Sequence, residues 1–511
     1  MKKFLLVFLS IIIILIAFVL IRTFTYPFKK TDQADSGEWK FVKNDSVVKR
    51  FSDGLKIPTV STGELGDFDY SPFVTFKEYL KKAYPEVYKN TEYVEVNTYG
   101  LVFRLKGSNP GLAPIMFLSH IDVVPPGDAE VKNTAGNVFR PNDKPFPAIT
   151  KVAEDWDFAP FSGAVANGRI YGRGAIDMKG MLFSLMESMN NLIKNKHTPK
   201  RDIYLAFGFD EEVGGKKGAT QIASYFKKKN IQFDAVYDEG GLILEKGSIS
   251  GIDSDVAVIG CAEKGFLSAK IKVKGLGGHS STPPMESAIG KAAVIMQRLE
   301  DDQMKPVITP LIQQFFDNIG GSMSFPSRMA ISNQWLLKPL LLSQLTKNNS
   351  TNALVRTTTA LTMMKGSDGT NVLSPEVEFV VNFRLLPGNT VKDVKKAHIA
   401  KATEGFEVEV EEIDNTREAS AVSSSNTKAY QLIEQGVKQL YPAAIVTPYL
   451  TLGGTDAYKY QMVSKNIYRF MPVKINNSEQ QSIHSTNEYL SIENYMKMIH
   501  YFEFIMTNYD K

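Results

Sequence analysis

Four clusters of acidic and histidine residues recur along this chain, Ser119-His120-Ile121-Asp122, Gly174-Ala175-Ile176-Asp177, Asp210-Glu211-Glu212 and Asp238-Glu239, and a fifth candidate, His484, lies near the C-terminus. Two imidazoles and several carboxylates are the donors that two closely spaced divalent cations require. Adjacent carboxylates such as Glu211 and Glu212 repel, so pairing them at a buried strand end costs stability unless a metal or a proton separates their roles. One can bind metal while its neighbour serves as general base. An isolated Asp210-Glu211-Glu212 would read as an exposed acidic turn, and an isolated His120 as an ordinary residue after a strand; their joint occurrence points to metal chemistry.

Two further features bear on that chemistry. A metal-bound imidazole usually gives its second N–H to a carboxylate, and Asp122, two residues past His120, is placed either for that or for direct ligation. The run Gly172-Arg173-Gly174-Ala175-Ile176-Asp177-Met178-Lys179-Gly180 matches neither a dinucleotide fingerprint nor a P-loop. It could be an anion-binding loop before a helix. Glycines that let the backbone approach closely, with one carboxylate, also suit a residue shared between two metals.

The elements that must position these residues are legible as patterns. Ile115–Leu118, Ile203–Phe207 and Ala235–Tyr237 are short, partly β-branched or aromatic runs, and read as buried strands. Ligands collect just beyond the carboxyl ends of such strands in open α/β sheets. From about residue 70 to 260, strand-like and helical spacings alternate, predicting an α/β fold with a mainly parallel sheet and flanking helices. From Ala269 the pattern changes: 269–273, Val377–Phe383 and Phe406–Glu412 alternate like half-exposed antiparallel strands, and Ala288–Leu299 has helical spacing. Ligand-like motifs then resume. A catalytic domain at 51–267 and 416–511, interrupted by a smaller α+β lid or dimerisation-type domain at 268–415, is the expected organisation.

Composition narrows the partners. Lys and Arg number 59 against 55 Asp and Glu, for a net charge of +4, and no sustained basic stripe appears, which argues against nucleic acid. Lys227-Lys228-Lys229 reads as a solvated face. Cys261 is the only cysteine, so an intrachain disulfide and thiolate ligation are both excluded. The N-terminus differs from the rest: after Lys2-Lys3, an apolar run broken only by Ser10 reaches Ile21. Its 18 residues would cover about 27 Å, close to the hydrocarbon thickness of a bilayer. The run is longer than a cleavable signal core and lacks a small-x-small site, while Phe24, Tyr26 and Phe28 at its exit resemble an interfacial belt. Residues 1–30 are therefore expected to be an uncleaved transmembrane anchor and 31–50 a tether, with the catalytic domain extracytoplasmic. The positive-inside rule is nearly silent, because Lys2 and Lys3 face Arg22, Lys29 and Lys30 across the span. The tract Trp335-Leu336-Leu337-Lys338-Pro339-Leu340-Leu341-Leu342 reads either as core or as an acyl-chain or membrane-facing surface.

Taken in order, His-x-Asp, Gly-Arg-Gly-Ala-x-Asp-x-Lys-Gly, Asp-Glu-Glu-x-Gly-Gly and Asp-Glu-Gly-Gly resemble the aminoacylase and carboxypeptidase family of dinuclear zinc hydrolases, nearest its carboxypeptidase S and N-acyl amino acid synthase/hydrolase branch. The resemblance extends through Trp335, Asn352, Arg384-Leu385-Leu386-Pro387-Gly388 and Gly453-Gly454-Thr455-Asp456. It implies a zinc exopeptidase-like fold and two Zn2+ per chain, with Co2+ or Mn2+ compatible. His120, Asp177, Glu212, Asp238 and His484 would be the ligands, Asp177 bridging both metals. Asp122 would orient His120, and Glu211 would be the general base and acid. His279 would reach from the inserted domain to the oxyanion, Arg384 would clamp a substrate carboxylate, and Asn352, Gly454 and Thr455 would contact substrate. Two departures stand out: a Pro- and Asp-rich stretch between Pro126 and Trp156, and Ala457-Tyr458-Lys459 where that branch has Ser-Arg-His.

The expected activity is hydrolysis of the amide bond to a C-terminal or N-acylated amino acid with a free carboxylate, by a membrane-anchored monomer or homodimer. An aminopeptidase or dipeptidase of the same metal chemistry is the alternative. A catalytically silent, receptor-like ectodomain is disfavoured because Glu211 and the ligand set are present. A serine nucleophile is disfavoured because no Gly-x-Ser-x-Gly elbow occurs.

Overall fold

The computed structural model describes residues 2–29, 39–61, 69–127, 130–132, 148–151 and 156–510. Most of the Pro- and Asp-rich stretch, and residues 31–38 of the expected tether, lie outside the described residues. The remainder of that tether runs into a helix, Asp45–Leu55, capped by the Asn44 side chain and burying Val47, Val48, Phe51 and Leu55 along one face. Their near-helical spacing is an amphipathic stripe that the polar composition of 31–50 concealed.

The chain forms two compact units. One comprises 30–261, 423–449 and 455–511; the other comprises 1–29, 262–422 and 450–454.

The larger unit is built on a mixed sheet. Its spatial order begins Glu92–Val96, Gly100–Leu105, Ile203–Gly208, Ile115–His120, Ala235–Asp238, Ile467–Arg469 and Val256–Glu263. The four strands at the centre are parallel, as expected for alternating strands and helices. The edge is antiparallel because Glu92–Val96 and Gly100–Leu105 are joined by only three residues, too few for a parallel crossover. Every residue of Ile115–His120 and Ile203–Gly208 is buried, which explains why these strands read as continuous apolar runs. Helices Lys179–Lys194, Ala219–Lys228, Lys428–Leu440 and Ile492–Asn508 supply the flanking layers.

In the other unit, four antiparallel strands lie in the order Thr358–Lys365, Glu376–Leu385, Gly265–Lys274 and Val408–Arg417. Leu267, Ala269, Ile271 and Val273 point into a core shared with Ala292, Ile295 and Leu299 of helix Ala288–Asp301. The intervening Lys270 and Lys272 lie near Glu411 and Glu378 on the opposite face. Period-two patterning produces this two-sided sheet directly. The unit also carries helices Pro310–Ile319, Phe325–Ser332 and Gln334–Leu345, and the apolar N-terminal helix Lys2–Thr25.

Candidate metal centre

The parallel strands deliver their ends to one place. His120 is the last residue of its strand and pairs in register with Gly208, after which Phe209 and Asp210 lead into a short 3-10 turn, Glu211–Val213. Asp238 ends the neighbouring strand. Asp177 arrives from the loop before helix Lys179–Lys194, across a cis peptide to Met178. Gly174 in that loop has φ +87°, and a Cβ there would come within 2.6 Å of Val123 Cγ1, so only glycine fits.

Asp177 lies between the two imidazoles. His120 Nε2 is 3.1 Å from Asp177 Oδ1 and 3.4 Å from Glu239 Oε1. His484 Nε2 is 2.9 Å from Asp177 Oδ2 and 3.2 Å from Glu212 Oε2. The donors thus form two groups that share Asp177: His120, Asp177 and Glu239, and Asp177, Glu212 and His484. His484 itself has φ +62°, a conformation uncommon for a non-glycine residue and found preferentially at functional sites.

Asp122 organises the first group from below. It is fully buried; its Oδ1 accepts the Glu211 backbone N–H, and its Oδ2 accepts the Glu212 N–H and the Ser61 hydroxyl. His120 Nδ1 lies 2.9 Å from the Asp122 carbonyl oxygen and 3.4 Å from its Oδ1. One carboxylate therefore aligns the His120 ring and the turn that carries Glu211 and Glu212. Glu488 acts similarly on the Asp177 loop, accepting N–H groups from Gly174, Ile176 and Asp177 while paired with Arg173 at 2.8 Å.

The electrostatics fit a cation site. Burial raises the Glu211, Glu212 and Glu239 carboxyls, Glu212 to about 7, and neighbouring carboxylates add to the rise. Burial also works against ionisation of Asp177, yet hydrogen bonds from His120 and His484 hold it below its usual range. Asp177 and Glu212 in turn push His484 up to about 10. The crowded carboxylates push both imidazoles toward their protonated form, a charge imbalance that divalent cations would relieve. Glu212 Oε1 is also buried without a hydrogen-bond partner, as a carboxylate oxygen reserved for a metal would be. The donor set fits a metal centre.

The sequence-derived residues divide as follows. His120, Asp122, Asp177, Glu211, Glu212 and His484 converge. Asp238 is buried at the end of its strand; the two donor groups found among the described residues do not include it, and Glu239 stands in the first. Glu488 and Arg173 carry no expected role in the sequence, although Glu488 follows His484 by four residues. Thr455 caps the turn Asp456–Met462, where Lys459 is buried and paired with Asp456. That pair lies against Gly215, whose φ is +61° and where a Cβ would meet Lys459 Nζ at 2.2 Å.

His279, Asn352, Arg384 and Gly454 belong to the other unit. His279 is exposed, and its Nδ1 accepts the Ser281 N–H, which leaves Nε2 as the donor in the neutral ring. Asn352 Oδ1 is buried without a partner. Arg384 rests 4.6 Å over the Phe266 ring and donates to Asn382 Oδ1; among the described residues no carboxylate pairs with it. Lys264, absent from the sequence-derived set, is pushed down to about 7 by burial and by Arg384, and its ammonium donates to the Ala353 and Arg356 carbonyls. Gly454 adjoins Arg417, whose Nη2 a Cβ would meet at 2.5 Å.

Residues 116–508 match the family described as peptidase family M20/M25/M40. The chain is 34% identical over 468 residues to a probable carboxypeptidase S-like protein of Dictyostelium discoideum, covering 91% of this chain and 85% of that one. It is 31% identical over 510 residues to an N-fatty-acyl-amino acid synthase/hydrolase of Xenopus tropicalis, covering 98% and 94%. The crystal structure of an M20 family metallo-carboxypeptidase from Sulfolobus solfataricus superposes with a TM-score of 0.64 at 18% identity, covering 91% of this chain and 99% of that one. The chain belongs to the M20/M25/M40 peptidase family and is a hydrolytic enzyme with that family's mixed α/β fold.

Proposed function

We propose that this M20-family chain is a dinuclear zinc amidohydrolase that cleaves the amide bond to an amino acid with a free carboxylate, at a peptide C-terminus or beneath an N-acyl group. The observation that carries this reading is Asp177, one oxygen facing His120 and the other His484. His120, Asp177 and Glu239 would hold one cation, and Asp177, Glu212 and His484 the other. Imidazole and carboxylate donors suit zinc, with Co2+ and Mn2+ compatible. When bound, the metals supply Lewis acidity and a more acidic attacking water.

Glu211 moves the proton. It takes one from water as the water oxygen adds to the carbonyl carbon, and returns it to the nitrogen as the C–N bond breaks. Its elevation by burial suits a group that must both accept and release a proton. Asp122 keeps the Glu211 turn and the His120 ring aligned. His279, with Nε2–H available, donates to the developing oxyanion. Arg384, with no carboxylate partner among the described residues, takes that of the substrate, with Asn352, Gly454 and Thr455 completing the contacts. The names of the two relatives, carboxypeptidase S-like and N-fatty-acyl-amino acid synthase/hydrolase, support this substrate class.

Helix Lys2–Thr25 anchors the enzyme in a membrane, with the catalytic unit extracytoplasmic. Its 24 residues span about 36 Å, and among them only Val19 and Thr23 are buried, which leaves most of its apolar length uncovered by protein.

The test uses the full-length protein with an N-acyl amino acid and its C-terminal amide, before and after chelation. Hydrolysis of the acid, lost on chelation, restored by zinc and much slower on the amide, is expected. Equal rates on both substrates would make the enzyme an aminopeptidase or dipeptidase type. No metal-dependent hydrolysis at all would leave a silent ectodomain.

A further inference from the structure

Trp335–Leu342, left open by the sequence as core or surface, is largely surface. It lies in helix Gln334–Leu345, which folds back on helix Phe325–Ser332 through Asn333. Phe325, Trp335, Leu336 and Leu340 are 41%, 54%, 42% and 55% exposed. Exposed apolar groups of this size concentrated on one short hairpin mark a contact surface.

The hairpin is fixed to the end of the apolar N-terminal helix. Asn333 is fully buried, and its amide donates to the Val19 carbonyl and the Thr23 hydroxyl. Arg22 Nε donates to the Ser332 carbonyl at 2.7 Å, and the Tyr26 hydroxyl to Asp317 at 2.8 Å. Phe18 meets Trp335 edge-on with centroids 5.7 Å apart, and Phe24 lies 5.7 Å from Phe325.

Charge selects the occupant. From Asn318 to Ser367 there is no acid, and of the five cations in that length the exposed Lys338 lies in the hairpin and the exposed Lys347 two residues beyond it. The chain's overall 55 acids in 511 residues would place about five in that length. An apolar face with cations and no acids fits an anionic lipid surface.

We infer that the hairpin Phe325–Leu345 docks into the headgroup region of the leaflet from which the N-terminal helix emerges, with Trp335 inserted beside Phe18. This rests on the reading of Lys2–Thr25 as an anchor. Phe18 precedes Arg22, the first residue past the apolar run, by four residues, so Phe18, with Trp335 against it, sits about 6 Å inside the level of Arg22. Interfacial helices bury their apolar faces about 5–10 Å deep, and tryptophan favours that depth.

The experiment reconstitutes the full chain into vesicles of phosphatidylcholine and phosphatidylglycerol carrying brominated lipid, and compares tryptophan quenching in wild type and Trp335→Phe. Bromines near the headgroups should quench a component that bromines at the chain ends quench less, and Trp335→Phe should abolish it. Lys338→Glu with Lys347→Glu should weaken it in anionic vesicles more than in neutral ones. If the protein floats with vesicles but Trp335 is quenched by aqueous acrylamide and not by bromolipid, the docking is wrong and the anchor stands. If Trp335 is shielded from both, a second copy covers the face and the docking is again wrong. If the chain does not float at all, the anchor itself fails.

Discussion

Glu488 accepts the backbone N–H of Asp177 at 3.1 Å, joining residues more than 300 positions apart, and it follows His484 by four residues. Asp177, which faces both imidazoles, is thereby tied to a buried ion pair, Arg173–Glu488. Removing one partner of such a pair leaves a buried charge and costs about 3–5 kcal/mol. Glu488→Ala is expected to lower the urea midpoint accordingly and to reduce metal content at limiting zinc. Glu488→Gln, which keeps acceptors for the loop N–H groups, should do less. A wild-type midpoint for the alanine variant would remove Glu488 from this role.

Glu211→Gln should retain full metal content while turnover drops about 10²–10⁴-fold, because an amide cannot accept the proton from water. Metal analysis alongside kcat on an N-acyl amino acid decides it. Near-normal turnover would assign the base elsewhere.

Glu239 and Asp238 are adjacent; Glu239 Oε1 lies 3.4 Å from His120 Nε2, and Glu239 rather than Asp238 falls in a donor group among the described residues. Glu239→Gln is therefore expected to lose about one of two metals, and Asp238→Asn to lose none. Inductively coupled plasma analysis of the two purified variants reverses the assignment if the losses are exchanged.

Arg384 is expected to govern the choice between acid and amide substrates. A charge-assisted, bidentate contact is worth about 2–4 kcal/mol, or roughly 30- to 1,000-fold in kcat/KM. Arg384→Ala should cost that factor on the acid and little further on the amide, so the two changes should be strongly non-additive. Simple additivity across the four kcat/KM values would mean that Arg384 does not meet the carboxylate.

Lys264 makes stability depend on pH in a defined direction. Its folded value is pushed down to about 7 by burial and by Arg384, from 10.5. Between these values the unfolded chain holds a proton that the folded chain has released, so Lys264 adds stability as pH rises from about 7 to about 10; below about 7 both states are protonated and the dependence ends. In urea titrations from pH 6 to 10, Lys264→Met should lose this slope, its stability relative to wild type falling as pH rises. A pH-independent difference between the two proteins would show that Lys264 is charged throughout.

The sequence by itself determined the donor inventory, because residue types at the ends of short apolar runs are a local property: His120, Asp177, Glu211, Glu212 and His484 were all visible without a structure. It also determined the fold class, since helical and period-two spacing are written in the order of residues. Tertiary structure decided that the Glu239 carboxylate reaches His120, because the direction in which a side chain leaves a strand end is set by packing. It decided that Glu488 and Arg173 brace the Asp177 loop, because a separation of more than 300 residues is closed only by packing. It also decided that Trp335, Leu336 and Leu340 are exposed rather than core. Composition records that a helix is apolar, whereas its neighbours determine which of its faces remain uncovered.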